Sequence, residues 1–122
     1  MSWRSALRPL SKSITVSEET KRRLEAVKET IEFRTERRMT ITGTVRYLVD
    51  YFLLTRDDAR SLALPRVTGG KRREIFLRRG ARERFERARR ILREQVGRPL
   101  TPEETLLLLI DYYRAREGIR DE

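Results

Sequence analysis

The sequence predicts a mainly α-helical protein made of two β-α-α repeats whose strands pair as a two-stranded antiparallel ribbon. Residues 13–17 alternate polar and apolar side chains, which is typical of a half-buried strand. Residues 74–78 show the same alternation 61 positions later, and two segments with apolar residues at helical spacing follow each strand. Because a strand of this length is not stable alone, we expect the two strands to pair within one chain.

The first repeat spans residues 12–54 and contains a strand followed by two helices. Ser17 is placed to cap the first helix, which we expect to run to about Phe33. After a basic connector, the second helix runs from about Thr42 or Gly43 to the end of the repeat. The apolar stripes of the two helices consist of Leu24, Val27 and Ile31, and of Val45, Leu48, Val49 and Phe52.

A linker at residues 55–71 separates the two repeats. It interrupts the helical periodicity and contains a proline and a Gly-Gly pair, which cannot continue a helix. The linker is long for a connection inside a compact domain. We expect three apolar side chains to anchor it, namely Leu62, Leu64 and Val67. The repeats form one domain, flanked by a basic arm at residues 1–11 and a charged tail at residues 115–122.

The second repeat spans residues 72–114 and aligns with the first at a constant offset of 61 residues, without a gap. Leu24 then matches Phe85, and apolar positions coincide through both helices. A match across strand, helix, connector and helix is much less common by chance than a match between two amphipathic helices. Residues 101–104 read Thr-Pro-Glu-Glu, which predicts a capping box at the start of the last helix.

The composition indicates a polyanionic partner. The 122 residues include 29 Lys and Arg against 19 Asp and Glu, a net charge of +10 that is typical of nucleic-acid-binding proteins. The chain has no His and no Cys, so we predict no metal site, no cofactor, no disulfide and no catalytic residue, and we do not expect an enzyme. No apolar run approaches the length of a membrane span. The expected location is the cytoplasm, in association with the nucleoid.

The order of strand, helix, short connector and helix in residues 12–52, and again in residues 73–113, resembles the ribbon-helix-helix family. In that family two copies intertwine, and their strands form an antiparallel ribbon that enters the DNA major groove. The N-terminus of each second helix grips a phosphate. Two copies in one chain resemble the tandem members, in which one polypeptide makes the whole pseudo-dimer and serves as a repressor or as an accessory factor in plasmid DNA transfer.

The alternation predicts which ribbon residues contact bases. Ser13, Thr15 and Ser17 point outward from the first strand, where short hydroxyl side chains can meet base edges. Simple helix capping is the alternative for Ser17. Phe76 and Arg78 point outward from the second strand. Arg78 suits guanine, and Phe76 suits apolar contact with thymine unless a different register places it in the core.

Phosphate contacts are predicted at the helix starts and beside the strands. Thr40, Thr42 and Gly43 lie where the second helix would offer free backbone N–H groups to phosphate. Thr101 occupies the matching place in the second repeat, where two glutamates in the same turn weaken an anion site. Capping is the alternative role of these hydroxyl groups. The basic residues that flank the strands and can reach the DNA backbone are Lys12, Lys71, Arg72 and Arg73.

We therefore interpret the chain as a sequence-specific double-stranded DNA-binding protein, a transcriptional repressor that reads the major groove with its ribbon. Two alternatives stay open: a DNA-transfer or partition accessory factor, and an antitoxin-like adaptor whose second half binds a partner protein. Since the two repeats differ in their outward residues, the expected DNA site is an imperfect palindrome. Further self-association on DNA is also open.

Overall fold

The computed structural model describes residues 11–119, with side chains from Ser13 onward. The predicted arm therefore lies outside the described residues except for Ser11, as do residues 120–122. The chain forms two strands and four helices in the order β1 (Ser11–Ser17), α1 (Glu18–Thr35), α2 (Ile41–Thr55), β2 (Arg72–Arg78), α3 (Arg79–Val96) and α4 (Pro102–Glu117). The predicted mainly helical fold with a two-stranded antiparallel ribbon is confirmed. Within the described part of the chain, no helix has the length and apolar character of a membrane span.

The ribbon is formed by β1 and β2, which pair antiparallel within the one chain, as the sequence predicted. Ile14 lies opposite Ile75, and residues that oppose each other in this way share a face of the ribbon. The inner face carries Ile14, Val16, Ile75 and Leu77, all buried against the helices. The inner side chains of the two strands thus close one side of the hydrophobic core. The alternate side chains of each strand point away from the core.

The helices of the first half begin and end at recognisable caps. Ser17 Oγ accepts a hydrogen bond from the Thr20 amide at the start of α1, as expected of an N-cap. α1 runs two residues beyond the predicted end at Phe33 and stops at Glu36, which has the left-handed φ of 57°. α2 starts at Ile41, one residue before the predicted start, because Thr40 provides its N-cap.

The helices of the second half carry stronger stop and start signals. α3 ends at Gly97, whose φ of 85° suits glycine, and the Gly97 amide donates to the Arg93 carbonyl. The capping box of α4 is present as predicted, with reciprocal bonds between Thr101 and Glu104. α4 continues to Glu117, beyond the predicted boundary of the repeat at residue 114. The last turn is held because Glu117 accepts hydrogen bonds from α1 and α2 side chains.

α4 lies at the centre of the core. Every residue from Thr105 to Ile110 is buried, which explains why this leucine-rich segment is apolar on all sides. The linker packs on the core through Ala59, whose amide donates to the side chain of Gln95, and through Leu62. The prediction that Leu64 and Val67 also anchor it is wrong, because both side chains are exposed. A coil segment buries only those apolar residues that its path brings over the helices.

Candidate nucleic-acid interface

The outer face of the ribbon presents five exposed side chains, which are those of Thr15, Arg72, Glu74, Phe76 and Arg78. Thr15 lies opposite Glu74, and Phe76 lies opposite the partly buried Ser13. Phe76 is 62% exposed, so the register that would have buried it is excluded. Arg78, also exposed, follows on the same face and supplies the backbone N-cap position of α3 without a side-chain capping bond. The structure thus brings Ser13, Thr15, Phe76 and Arg78 together on one surface, as the alternation predicted.

Ser17 does not belong to this surface. Its side chain is fully buried, and its hydroxyl caps α1 by accepting from the Thr20 amide at 3.2 Å. The Ser17 amide donates to the carboxylate of Glu103 at 2.7 Å. The predicted base contact of Ser17 is therefore wrong, because the start of α4 covers this end of the ribbon. Capping, the alternative that the sequence offered, is the role that the structure gives it.

The buried carboxylate of Glu103 organises the covered end of the ribbon. The sequence did not predict this role. Glu103 is 4% exposed and accepts hydrogen bonds from the Ser17 amide and from the Thr20 hydroxyl, both at 2.7 Å. Its other oxygen accepts from Arg72 at 3.1 Å. Burial acts to raise the pKa of the Glu103 carboxyl, but the bonds from Ser17 and Thr20 and the charge of Arg72 outweigh burial and hold it below its usual value. Glu103 is therefore a carboxylate that clamps α4 to β1 and α1.

Two of the basic residues predicted to flank the strands, Arg72 and Arg73, lie within β2 itself, and both are partly engaged by carboxylates. Arg72 remains about half exposed beyond its contact with Glu103, and Arg73 pairs loosely with Glu18 at 3.6 Å. Lys71 is exposed, while its carbonyl accepts from the Glu18 amide at 3.2 Å. These three side chains can reach solvent beside the ribbon. The side chain of Lys12 lies outside the described residues.

The start of α2 lies directly beside Phe76. Thr42 Oγ1 donates to the Phe76 carbonyl at 3.0 Å, and Thr40 Oγ1 accepts from the Gly43 amide at 2.9 Å. The amide of Gly43 is thus already bonded to the cap and is not a free phosphate donor, which corrects that prediction. A Cβ atom at Gly43 would lie 3.2 Å from Thr40 Oγ1, so a larger residue here would displace the cap hydroxyl by a few tenths of an ångström. The hydroxyl of Thr42 fastens α2 to β2.

The starts of α2 and α4 each border a cleft against the ribbon. The two clefts differ in the charge of the side chains that line them. The cleft at α2 is lined by Phe76 and by the arginines Arg46, Arg78 and Arg84, the last of which pairs with Asp50 at 3.1 Å. The cleft at α4 is lined by Ser13, Thr15, Arg72, Thr101, Glu103 and Glu104. The two glutamates of this cleft are those that the sequence predicted to weaken an anion site. The side chain of Thr101 serves the capping box, the alternative role that the sequence offered.

The described residues contain no cluster of three or more His, Cys, Asp or Glu side chains that could hold a metal ion. Comparison of the chain with models of known protein families, with curated proteins and with solved structures found no match.

Proposed function

We propose that this protein is a single-chain, tandem ribbon-helix-helix DNA-binding protein that acts as a transcriptional repressor. In this proposal the two β-α-α halves intertwine as a pseudo-dimer, and the ribbon enters the major groove of double-stranded DNA. The observation that carries the proposal is the ribbon itself, which is apolar and buried on one face and exposed on the other.

The element bounds support an internal repeat with an offset of 61 residues. Moving β1 (Ser11–Ser17) by this offset gives the bounds of β2, and moving α1 (Glu18–Thr35) gives the bounds of α3. The helix stops also correspond, because the left-handed Glu36 falls on the left-handed Gly97. The N-cap Thr40 falls on the N-cap Thr101. Two unrelated segments of this length would not be expected to agree at strand, helix and cap.

Two ion pairs across the halves support a pseudo-twofold arrangement. Arg23 pairs with Asp111 at 2.5 Å, and Asp50 pairs with Arg84 at 3.1 Å. The offset of 61 converts Arg23 into Arg84 and Asp50 into Asp111, so each pair is the image of the other. The same two positions thus pair twice, with the two halves exchanged. This reciprocity is typical of an isologous interface. Tyr51 and Tyr112 are likewise images, and their rings contact each other edge to face.

The shape and charge of the ribbon suit the major groove. A two-stranded ribbon has a width that this groove admits, and the outward side chains then meet base edges. Thr15 and Arg78 carry groups that can bond to bases. Arg72 at the start of β2, and Arg46 and Lys71 beside the ribbon, lie where phosphates would pass. The net charge of +10 adds a long-range attraction for DNA.

Selection of bound sequences from a pool of random duplex DNA tests the proposal. We expect enrichment of an imperfect palindrome. With about 5–8 phosphates neutralised, the logarithm of the affinity should fall against the logarithm of the salt concentration with a slope of about −4 to −7. A pool without enrichment, together with a nearly flat salt dependence of DNA affinity, would refute DNA binding and favour the protein-interaction adaptor.

A matched pair of variants makes this experiment specific to the ribbon. Arg78→Ala removes a charge from the outer face, whereas Arg90→Ala removes the same charge from the exposed surface of α3. We expect Arg78→Ala to reduce the preference for the selected site over random DNA, and Arg90→Ala to preserve that preference. Equal effects of the two variants on this specificity ratio would show that charge alone, and not the ribbon, determines binding.

A further inference from the structure

Phe76 is a large apolar side chain that the core does not use. The inner face of β2 is already occupied by Ile75 and Leu77, both buried, while Phe76 is 62% exposed on the outer face. Leaving an aromatic ring in water forfeits the stabilisation that its burial would give. Across the ribbon the ring faces only the short side chain of Ser13, with Thr15 on the diagonal. Along β2 the ring is flanked on the same face by Glu74 and Arg78, and across the ribbon it meets only small polar groups among the described side chains.

The backbone of Phe76 is held by β1 on one side and by the start of α2 on the other. Phe76 is paired with β1 through the ribbon, and its carbonyl accepts the hydroxyl of Thr42 from the start of α2 at 3.0 Å. These bonds fix where the ring emerges without using the ring itself. An exposed aromatic side chain on a fixed backbone is suited to binding because only its two side-chain torsions lose freedom on contact.

The surroundings of the ring restrict what it can contact on DNA. Arg78 follows Phe76 on the same face, and Arg46 and Arg84 line the adjoining cleft, so phosphates are drawn to the periphery of the ring. The ring itself has no group for hydrogen bonding. The only apolar group that a standard base pair offers in the major groove is the C5 methyl group of thymine. A cytosine methylated at C5 presents the same group at the equivalent place.

We infer that Phe76 recognises the C5 methyl group of a pyrimidine, so that DNA carrying 5-methylcytosine at this position binds more tightly than DNA carrying cytosine. This inference rests on the proposed function. The residue 61 positions earlier is Thr15, whose single methyl group offers a much smaller apolar surface. The methyl preference is therefore strongest in the half-site under β2.

The test uses the sequence selected from random duplex DNA, with each thymine replaced singly by uracil, which removes only the methyl group. Fluorescence anisotropy measures the affinity of the full chain for each duplex. We expect one or two thymines in one half-site to show a loss of roughly fourfold, the equivalent of one buried methyl group. Phe76→Ala should abolish that loss and leave the thymine-to-uracil affinity ratio at the other positions unchanged.

A second pair of duplexes carries cytosine or 5-methylcytosine at the same position. We expect the methylated duplex to bind the native protein roughly fourfold more tightly, and Phe76→Ala to bind both equally. Thr15→Ser is the matched control, because it removes a methyl group from the equivalent position of β1 and should alter thymine-to-uracil ratios only in the other half-site. Thermal unfolding should show that Phe76→Ala retains its stability, since the ring is exposed and the Thr42 bond uses the backbone.

Two results would overturn the inference. Phe76→Ala could keep every thymine-to-uracil ratio, whatever its effect on overall affinity, or the native protein could fail to distinguish 5-methylcytosine from cytosine. Each of these leaves sequence-specific DNA binding intact and refutes only the role of Phe76. Absence of any sequence preference in the native protein would instead refute the proposed function, and the inference with it.

Discussion

Removal of the Glu103 carboxylate should destabilise the fold by an amount that the structure allows us to estimate. Glu103 is 4% exposed. One of its carboxylate oxygens accepts hydrogen bonds from the Ser17 amide and the Thr20 hydroxyl, and the other accepts a hydrogen bond from the Arg72 side chain. Glu103→Ala leaves the buried Ser17 amide unpaired and removes two further bonds to a charged acceptor. We expect a loss of about 3–5 kcal/mol in the free energy of unfolding.

Glu103→Gln is the milder form of the same change. The amide oxygen of Gln can keep the bonds from Ser17 and Thr20, because both go to a single oxygen of the carboxylate. The amide nitrogen then faces Arg72 and cannot accept its hydrogen bond. The favourable charge in the first turn of α4 is lost as well. We expect a cost of about 1–2 kcal/mol.

The stability difference between the native protein and Glu103→Gln should depend on pH. The folded protein lowers the pKa of the Glu103 carboxyl, so the carboxylate contributes stability above its unfolded value of about 4.3. This contribution is lost as the pH falls below that value and through the folded pKa, because the protonated acid then resembles the neutral amide. The difference should therefore be largest near pH 7 and shrink as the pH falls below about 4.

Urea unfolding followed by circular dichroism, at several pH values, measures these differences. Glu83→Gln is the matched control, since Glu83 lies exposed on α3 and pairs only loosely with Arg79 at 3.6 Å. The control should change the free energy of unfolding by less than about 0.5 kcal/mol. A loss below about 1 kcal/mol for Glu103→Ala, or a pH-independent difference for Glu103→Gln, would refute the assigned role of this carboxylate.

Two further predictions concern the readout of DNA and the helix ends. Thr15→Ala should relax sequence preference in one half-site and Arg78→Ala in the other, each by roughly 1–2 kcal/mol and nearly additively, whereas Arg72→Ala should weaken binding to all sequences alike. Affinities for mutated half-sites decide this, and an unchanged specificity ratio in the first two variants contradicts it. Glu36→Gly should stabilise the protein and Gly97→Ala destabilise it, each by about 1 kcal/mol in urea unfolding, because both residues have left-handed φ; the opposite signs would refute this reasoning.

Local patterns predict both strands and all four helices, although several of their ends lie one to three residues from the predicted ones. Two strands of alternating residues, apolar stripes at helical spacing and the capping box at Thr101 each depend on neighbours within a few positions, so they can be recognised without the fold. The same alternation placed Phe76 and Arg78 on the outer face once the two strands were taken to pair. Local pattern and tertiary packing agree in these places.

The burial of particular polar residues follows from tertiary packing and not from local pattern. Ser17 follows the outward pattern of β1, yet it is covered because Glu103, 86 residues later, packs the start of α4 over that end of the ribbon. Glu103 itself carries no local signal, since glutamate is common in the first turn of any helix. The linker residue Ala59 is buried for the same kind of reason. Burial of such residues depends on contacts between segments distant in the sequence, and local periodicity contains no information about those contacts.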